Sequence, residues 1–164
     1  NGEFTVNICY LQNMRPTVSV ITVPTSKSQY FTDGTSSFKF ENGFTSKISS
    51  NVESKETRIL VSRSHLDEKT KKLIKNIKNS KIMKVGSSLK FCLISEGKAD
   101  LYIRYGKTME WDTASGYAIL ENAGGKTLDF RLKKINYGKK DFLNTPFISY
   151  KENFNLNILK SILK

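Results

Sequence analysis

Residues 85–104 read Val-Gly-Ser-Ser-Leu-Lys-Phe-Cys-Leu-Ile-Ser-Glu-Gly-Lys-Ala-Asp-Leu-Tyr-Ile-Arg, and residues 110–125 read Glu-Trp-Asp-Thr-Ala-Ser-Gly-Tyr-Ala-Ile-Leu-Glu-Asn-Ala-Gly-Gly. The first stretch begins at the end of a short apolar strand, 82–85, and breaks at Gly86-Ser87-Ser88. It resumes as a helix to about Ser95, because Leu89, Phe91, Cys92, Leu93 and Ile94 give that segment a buried face. Residues 101–104 then read as a strand. In the second stretch Asp112 opens a helix that runs to about Asn122 and stops at Gly124-Gly125, residues suited to a helix C-cap. Strand and helix alternating at this spacing indicate an α/β layer.

The same alternation extends outward. Upstream, 58–62 is a buried-type strand, and a helix is expected over 67–79 with Leu73, Ile74 and Ile77 on one face and lysines on the other. Downstream, strands are expected near 127–130 and 146–150, and a terminal helix near 153–163. The first fifty or so residues follow another rule. Residues 4–11 alternate apolar and polar, 12–16 turn, and 18–23 form a second strand that Pro24 ends. Residues 30–32 and 37–40 make a hairpin around Asp33-Gly34, and Asn42-Gly43 is a further turn. Residues 45–57 are polar and read as a connector. An antiparallel meander therefore precedes the α/β part, with the division placed at 1–55 and 56–164. No internal repeat is present.

Composition narrows the classes. The chain has 164 residues, 38% of them hydrophobic, with 18 aromatics, enough for a real core. No apolar run reaches the length of a bilayer span, so no transmembrane segment is expected. Cys9 and Cys92 are too few for a disulfide framework or a zinc cage, so a reducing compartment is the default. The formal charge of +12 invites a nucleic-acid reading, but 22 of the 27 cations are Lys. Base and bidentate phosphate readout favour Arg. The excess also lies outside the motif-rich block: 67–84 carries +5 and 131–164 carries +6, whereas 85–130 carries −1. A solvated Lys-rich surface is the preferred reading, and no nucleic-acid partner is expected.

Three stretches carry chemistry. Ser62-Arg63-Ser64-His65 follows a strand end, where ligands sit in α/β layers, and its side chains can hold a phosphate. Its plainer reading is a cap with an exposed His. Gly86-Ser87-Ser88, with Lys90, offers free N–H groups and a point charge to an anion; the plainer reading is a serine cap on a core helix. Glu110–Gly116 places Asp112 at a helix start beside small residues, where it can give one oxygen to a hard cation, and Thr113 can stabilise charge nearby. Asp33-Gly34-Thr35 reads as a hairpin turn, Cys9 and Cys92 as core thiols, Trp111 as a packing anchor, and 96–100 as a helix exit with solvated charges.

Taken together, SRSH at 62–65, the run from VGSSLKFCL through EWDTASG to NAGG at 85–125, and FLNTPFI at 142–148 resemble the CysQ-type 3'(2'),5'-bisphosphate nucleotidases. These belong to the Mg²⁺-dependent, lithium-sensitive inositol-monophosphatase-like superfamily. The opening NGEFTVNI, residues 1–8, resembles the segment just after that family's DPLDGT–KEF motif. The resemblance implies an α/β sugar-phosphatase fold of layered αβαβα architecture, truncated at its N-terminus. It implies hydrolysis of adenosine 3',5'-bisphosphate to AMP and phosphate. By position, Asp112 matches a metal ligand, and His65, Ser88 and Lys90 match positions near the nucleotide or its non-scissile phosphate. The implied cofactor is Mg²⁺, and the implied location is cytoplasmic, or peripheral at the inner membrane.

The family's remaining metal-binding groups lie upstream of NGEFTV, so no complete catalytic set is expected here. The chain reads as a C-terminal part, inactive alone, to which a separate N-terminal fragment can contribute. Two alternatives stand beside this reading. One is an inositol or sugar phosphate phosphatase of the same superfamily. The other is a non-catalytic basic module for nucleotides or nucleic acid. A bare strand edge and an exposed apolar face would also be aggregation risks.

Overall fold

The structure is a computed structural model and describes residues 2–163. Two five-stranded sheets and four helices make it up. The first sheet is an antiparallel meander, β1 (Val6–Gln12), β2 (Arg15–Val23), β3 (Ser28–Thr32), β4 (Ser37–Glu41) and β5 (Phe44–Ile48), in sequence order. β5 lies where a connector was expected. Its residues are all exposed except Ile48, and between Phe44 and Ile48 they are polar, so they lack the alternation that marks a half-buried strand. Asp33 makes the β3–β4 turn as expected, its Oδ1 accepting from the Thr35 and Ser36 N–H groups at 2.8 and 2.9 Å.

The second sheet contains β6 (Thr57–Ser62), β7 (Ser80–Val85), β8 (Leu101–Arg104), β9 (Lys126–Asp129) and β10 (Phe147–Tyr150) in the order β7-β6-β8-β10-β9. β6 is parallel to both β7 and β8, while β10 is antiparallel to its neighbours. The chain leaves β6 through α1 (Glu68–Lys75) to β7, then returns through α2 (Leu89–Ser95) to β8 on the other side of β6. The strand order thus reverses at β6. A crevice opens there, at the carboxyl ends of the parallel strands.

Alternation along the strands sorts the core into two faces. Ile59, Val61, Leu101, Ile103 and Ile148 pack with Ile74 of α1 and Leu159 and Ile162 of α4 (Leu156–Ile162). Leu60, Tyr102 and Phe147 face the opposite way, onto Phe91 and Ile94 of α2 and Tyr117 and Leu120 of α3 (Glu110–Asn122). The far sides of α2 and α3 then meet the first sheet, where Cys92 and Ile119 contact Ile21, Val23, Tyr30 and Ile48. The layers run sheet, helices, sheet, helices. Three buried serines fasten the first sheet to α3, with Ser19, Ser37 and Ser50 donating to the carbonyls of Ser115, Ile119 and Ala123. Gly116 lets α2 and α3 approach closely, since a Cβ there would lie 2.4 Å from the Phe91 ring.

The other face of the first sheet is bare. Val6, Ile8 and Tyr10 of edge strand β1 are each more than half exposed, and Val18 beside them is partly so. Boundaries elsewhere differ modestly from expectation. α1 ends at Lys75, where Asn76 caps it, rather than running to 79, and α3 begins at Glu110. Of the charges in 96–100, Lys98 is solvated as expected, but the Glu96 and Asp100 carboxylates are not. Asp100 is 1% exposed and held by Arg58 and Lys151, and Glu96 accepts from Tyr30 and pairs with Lys39 and Lys98. All of these partners but Lys98 lie in distant parts of the chain, where local residue patterns carry no sign of them. No helix among the described residues is long and apolar enough to cross a membrane.

Candidate active site

Three loops meet at the reversal point, each leaving the carboxyl end of a parallel strand. Residues 62–65 follow β6, 86–88 follow β7, and 105–109 follow β8. They enclose a cavity of about 450 Å³ whose fourth wall is the start of the first sheet, Thr5 and Asn7. His65, Ser88, Lys90 and Asp112, far apart in sequence, all line it.

Lys90 is the most unusual of these. It lies on the buried side of α2, 4% exposed, where an apolar residue would be ordinary. Its Nζ donates to the carbonyls of Val85 and Ser87 at 3.2 and 2.6 Å and sits 5.0 Å from the Tyr102 ring centre. Burial, and then the nearby Arg104 guanidinium, push its pKa down to about 8. Arg104, at the end of β8, is 9% exposed. Its three nitrogens donate to the carbonyls of Gly106, His65 and Lys107 at 3.1, 2.8 and 3.1 Å, which staples the 62–65 and 105–109 loops together. Among the described residues no carboxylate forms an ion pair with either cation. Two buried positive charges therefore line one cavity, held by carbonyl oxygens and, for Lys90, by the Tyr102 ring, with Glu3 and Asp112 acting on Lys90 only from beyond ion-pair distance. An uncompensated buried charge is costly, and an anion entering the cavity offsets that cost.

Arg104 had a weak signal in the sequence: a cation ending an otherwise apolar strand. The reading of 62–65 as a phosphate cradle is only partly realised. Arg63 is taken by Glu3, which accepts from its Nε and Nη2 at 2.7 and 2.6 Å, and the Ser62 hydroxyl accepts from the His65 N–H at 3.2 Å. His65 itself is exposed at the cavity mouth.

Ser88 does not cap α2 with its side chain. Its hydroxyl donates to the Asp112 carbonyl at 2.8 Å and accepts from Asn7 Nδ2 at 2.9 Å, joining β1, α2 and α3 at one point. Asp112 is exposed, and its Oδ2 accepts from the Met109 N–H at 2.8 Å, a cap on α3. Thr113 is not available to stabilise charge in the cavity. Its Oγ1 donates to the Glu110 carbonyl and accepts from Tyr137 and from Asn144, which uses both lone pairs. Asn144, from the 142–148 motif, also holds the Met109 carbonyl at 2.8 Å and so fixes the start of α3. Trp111 is no core anchor: it is 59% exposed, and its ring centre lies 6.0 Å from that of Phe142. Cys92 is fully buried as expected, whereas Cys9 is half-buried.

The inositol monophosphatase family model matches residues 1–161. The chain belongs to that family. Among relatives of this inositol monophosphatase family member, the 3'(2'),5'-bisphosphate nucleotidase CysQ of Buchnera aphidicola subsp. Acyrthosiphon pisum is 44% identical over 151 residues, covering 90% of this chain and 57% of that protein. The enzyme of the same name from Escherichia coli (strain K12) is 36% identical over 148 residues, 90% of this chain and 60% of that one. The crystal structure of CysQ from Bacteroides thetaiotaomicron superposes with a TM-score of 0.84 at 35% identity, over 93% of this chain and 64% of that one. The chain thus spans about three fifths of the length of these relatives.

Proposed function

We propose that this cavity binds the phosphate groups of a phosphorylated nucleotide, adenosine 3',5'-bisphosphate in the first instance. In this reading the chain supplies the ligand-binding wall of a CysQ-type phosphomonoesterase. The observation that carries it is the pair Lys90 and Arg104, both buried in the lining of one cavity and, among the described residues, neither ion-paired with a carboxylate. The nucleotidase name borne by the relatives selects the ligand from among other phosphate monoesters.

Lys90 gives the anion a point charge in a dry wall. Arg104 adds field and keeps the two loops together through its three carbonyl contacts. Lys107 extends the positive lining toward the mouth, where the His65 ring also stands. A largely buried cation pair interacts with phosphate more strongly than surface lysines do. Two free thiols, Cys9 and Cys92, suit a cytoplasmic location.

Mg²⁺, which the resemblance implies, is not accommodated by the described residues alone. A hard cation takes about six oxygens, and among the described residues Asp112 is the one carboxylate lining the cavity. Among the described residues no group of three or more His, Cys, Asp or Glu side chains is placed to hold a metal ion. No hydrolytic step is therefore assigned to these residues, and Asp112 is proposed as one ligand of a site that needs further carboxylates.

Phosphate release from adenosine 3',5'-bisphosphate by the purified chain with Mg²⁺ tests this division of labour. Ligand binding without turnover is the expected result. Turnover that Asp112→Ala abolishes would show a complete site instead.

A further inference from the structure

Alternate residues at the start of the first sheet meet consecutive residues of the loop between β7 and α2. Glu3 Oε2 accepts from the Gly86 N–H at 2.7 Å, Thr5 Oγ1 lies 2.5 Å from Ser87 Oγ, and Asn7 Nδ2 donates to Ser88 Oγ at 2.9 Å. Side chains on one face of an extended segment repeat every second residue, so three rungs form from one strand face. None of the three belongs to the cavity's cation pair, yet each holds something that does bear on it.

The loop is shaped for this contact. A Cβ on Gly86 would lie 3.0 Å from the Glu3 backbone oxygen, so a side chain there would press the two segments apart by a few tenths of an ångström. Ser87 is in the left-handed region at φ 52°, which a non-glycine residue adopts at a cost. In that conformation the Ser87 carbonyl accepts from Lys90 Nζ at 2.6 Å. Ser88 passes the third rung on to the Asp112 carbonyl at 2.8 Å.

The third rung has a price that reveals its purpose. Ser88 has one hydroxyl proton, and it goes to the Asp112 carbonyl, which cannot donate. Ser88 Oγ is thereby an acceptor toward Asn7, which must present Nδ2. Asn7 Oδ1 is then left over. Among the described residues it is the buried side-chain oxygen or nitrogen without a hydrogen-bond partner. Such an orphan acceptor destabilises the fold, and an apolar side chain at the same place would avoid it.

We propose that Glu3, Thr5 and Asn7 are positioning residues, a ladder that fixes the Gly86–Ser88 loop and through it the placement of Lys90 and Asp112 in the cavity. The proposal rests on the anion-site reading above. Asn7→Val tests it, because valine suits a strand and removes both the rung and the orphan oxygen. The melting temperature is expected at or above that of the wild type, while calorimetric affinity for adenosine 3',5'-bisphosphate falls about tenfold. A purely structural role would lower both together. Thr5→Val and Thr5→Ser form an independent pair, the first expected to weaken binding about fivefold and the second to restore it to within twofold.

Wild-type affinity in Asn7→Val, a parallel loss of stability and affinity, or failure of Thr5→Ser to restore binding would each overturn the ladder alone. A wild type that does not bind the ligand, or whose affinity ignores Lys90→Met, overturns the anion-site reading and the ladder with it.

Discussion

Replacing Lys90 by Met keeps a long flexible side chain and removes the buried charge. In the free protein Lys90 sits at about 8 rather than its ordinary 10.5. The unfolded chain therefore holds this proton more tightly than the folded one. Stability consequently rises with pH across the window from about 8 to 10.5, and the full penalty is present below it. At about 1.4 kcal/mol per pKa unit, this penalty is on the order of 3 kcal/mol. Lys90 is almost wholly buried, so solvent screening removes little of it. Other lysines and tyrosines titrate in the same window, so the informative quantity is a difference. Urea unfolding of wild type and Lys90→Met, measured in parallel from pH 7 to 10.5 in phosphate-free buffer, gives it. Wild type is expected to gain about 3 kcal/mol relative to the variant over that range. Adenosine 3',5'-bisphosphate should flatten the curve, because a bound anion holds the proton on Lys90. A difference independent of pH would refute the claim that Lys90 is a buried charge awaiting an anion.

Other outcomes follow from the same structure. Asp112→Ala removes the α3 cap to Met109 and should cost about 1 kcal/mol in urea unfolding, within the usual range for such caps; Asp112→Asn, which keeps an acceptor oxygen, should cost less than half of that. Asp100→Ala leaves Arg58 and Lys151 facing each other across a buried site and should cost about 3–5 kcal/mol by the same measurement. Those two cations hold the Asp100 carboxyl down to about 2, so its contribution is present above 3.8 and is lost as pH falls toward 2. On the bare sheet face, Ile8→Thr should reduce concentration-dependent self-association in sedimentation velocity and leave ligand affinity within twofold, since Ile8 points away from the cavity side occupied by Asn7.

The α/β order was legible because β6, β8 and α3 are local events: apolar runs of the right length bounded by glycine, serine or a change of period. β5 was not, because an exposed edge strand with a polar middle is made by its partner β4 rather than by its own residues. For the site, the loops after β6 and β7 and the start of α3 could be picked out by residue type, and the structure brings His65, Ser88, Lys90 and Asp112 to one cavity. What each side chain does there was less visible. Nothing in Gly86-Ser87-Ser88 announces that Glu3, Thr5 and Asn7 will hold it, since hydrogen bonds across some eighty positions have no local signature. The capture of Arg63 by Glu3 was invisible for the same reason. Arg104 ends a strand rather than opening a motif, so residue type alone does not single it out. The charge of +12 was a distraction: what matters is where two cations are buried, not how many are exposed.

The central claim is that a phosphorylated nucleotide is held in the cavity between the carboxyl ends of β6, β7 and β8. Amide chemical-shift mapping during titration with adenosine 3',5'-bisphosphate tests it most directly. Saturating shifts are predicted at Gly86–Lys90, at 62–65 and at 104–108, and their loss in Lys90→Met. Shifts confined to the lysines of α1 or to 131–140, unchanged in that variant and abolished by moderate salt, would contradict it and mark the chain as a basic surface without a built site.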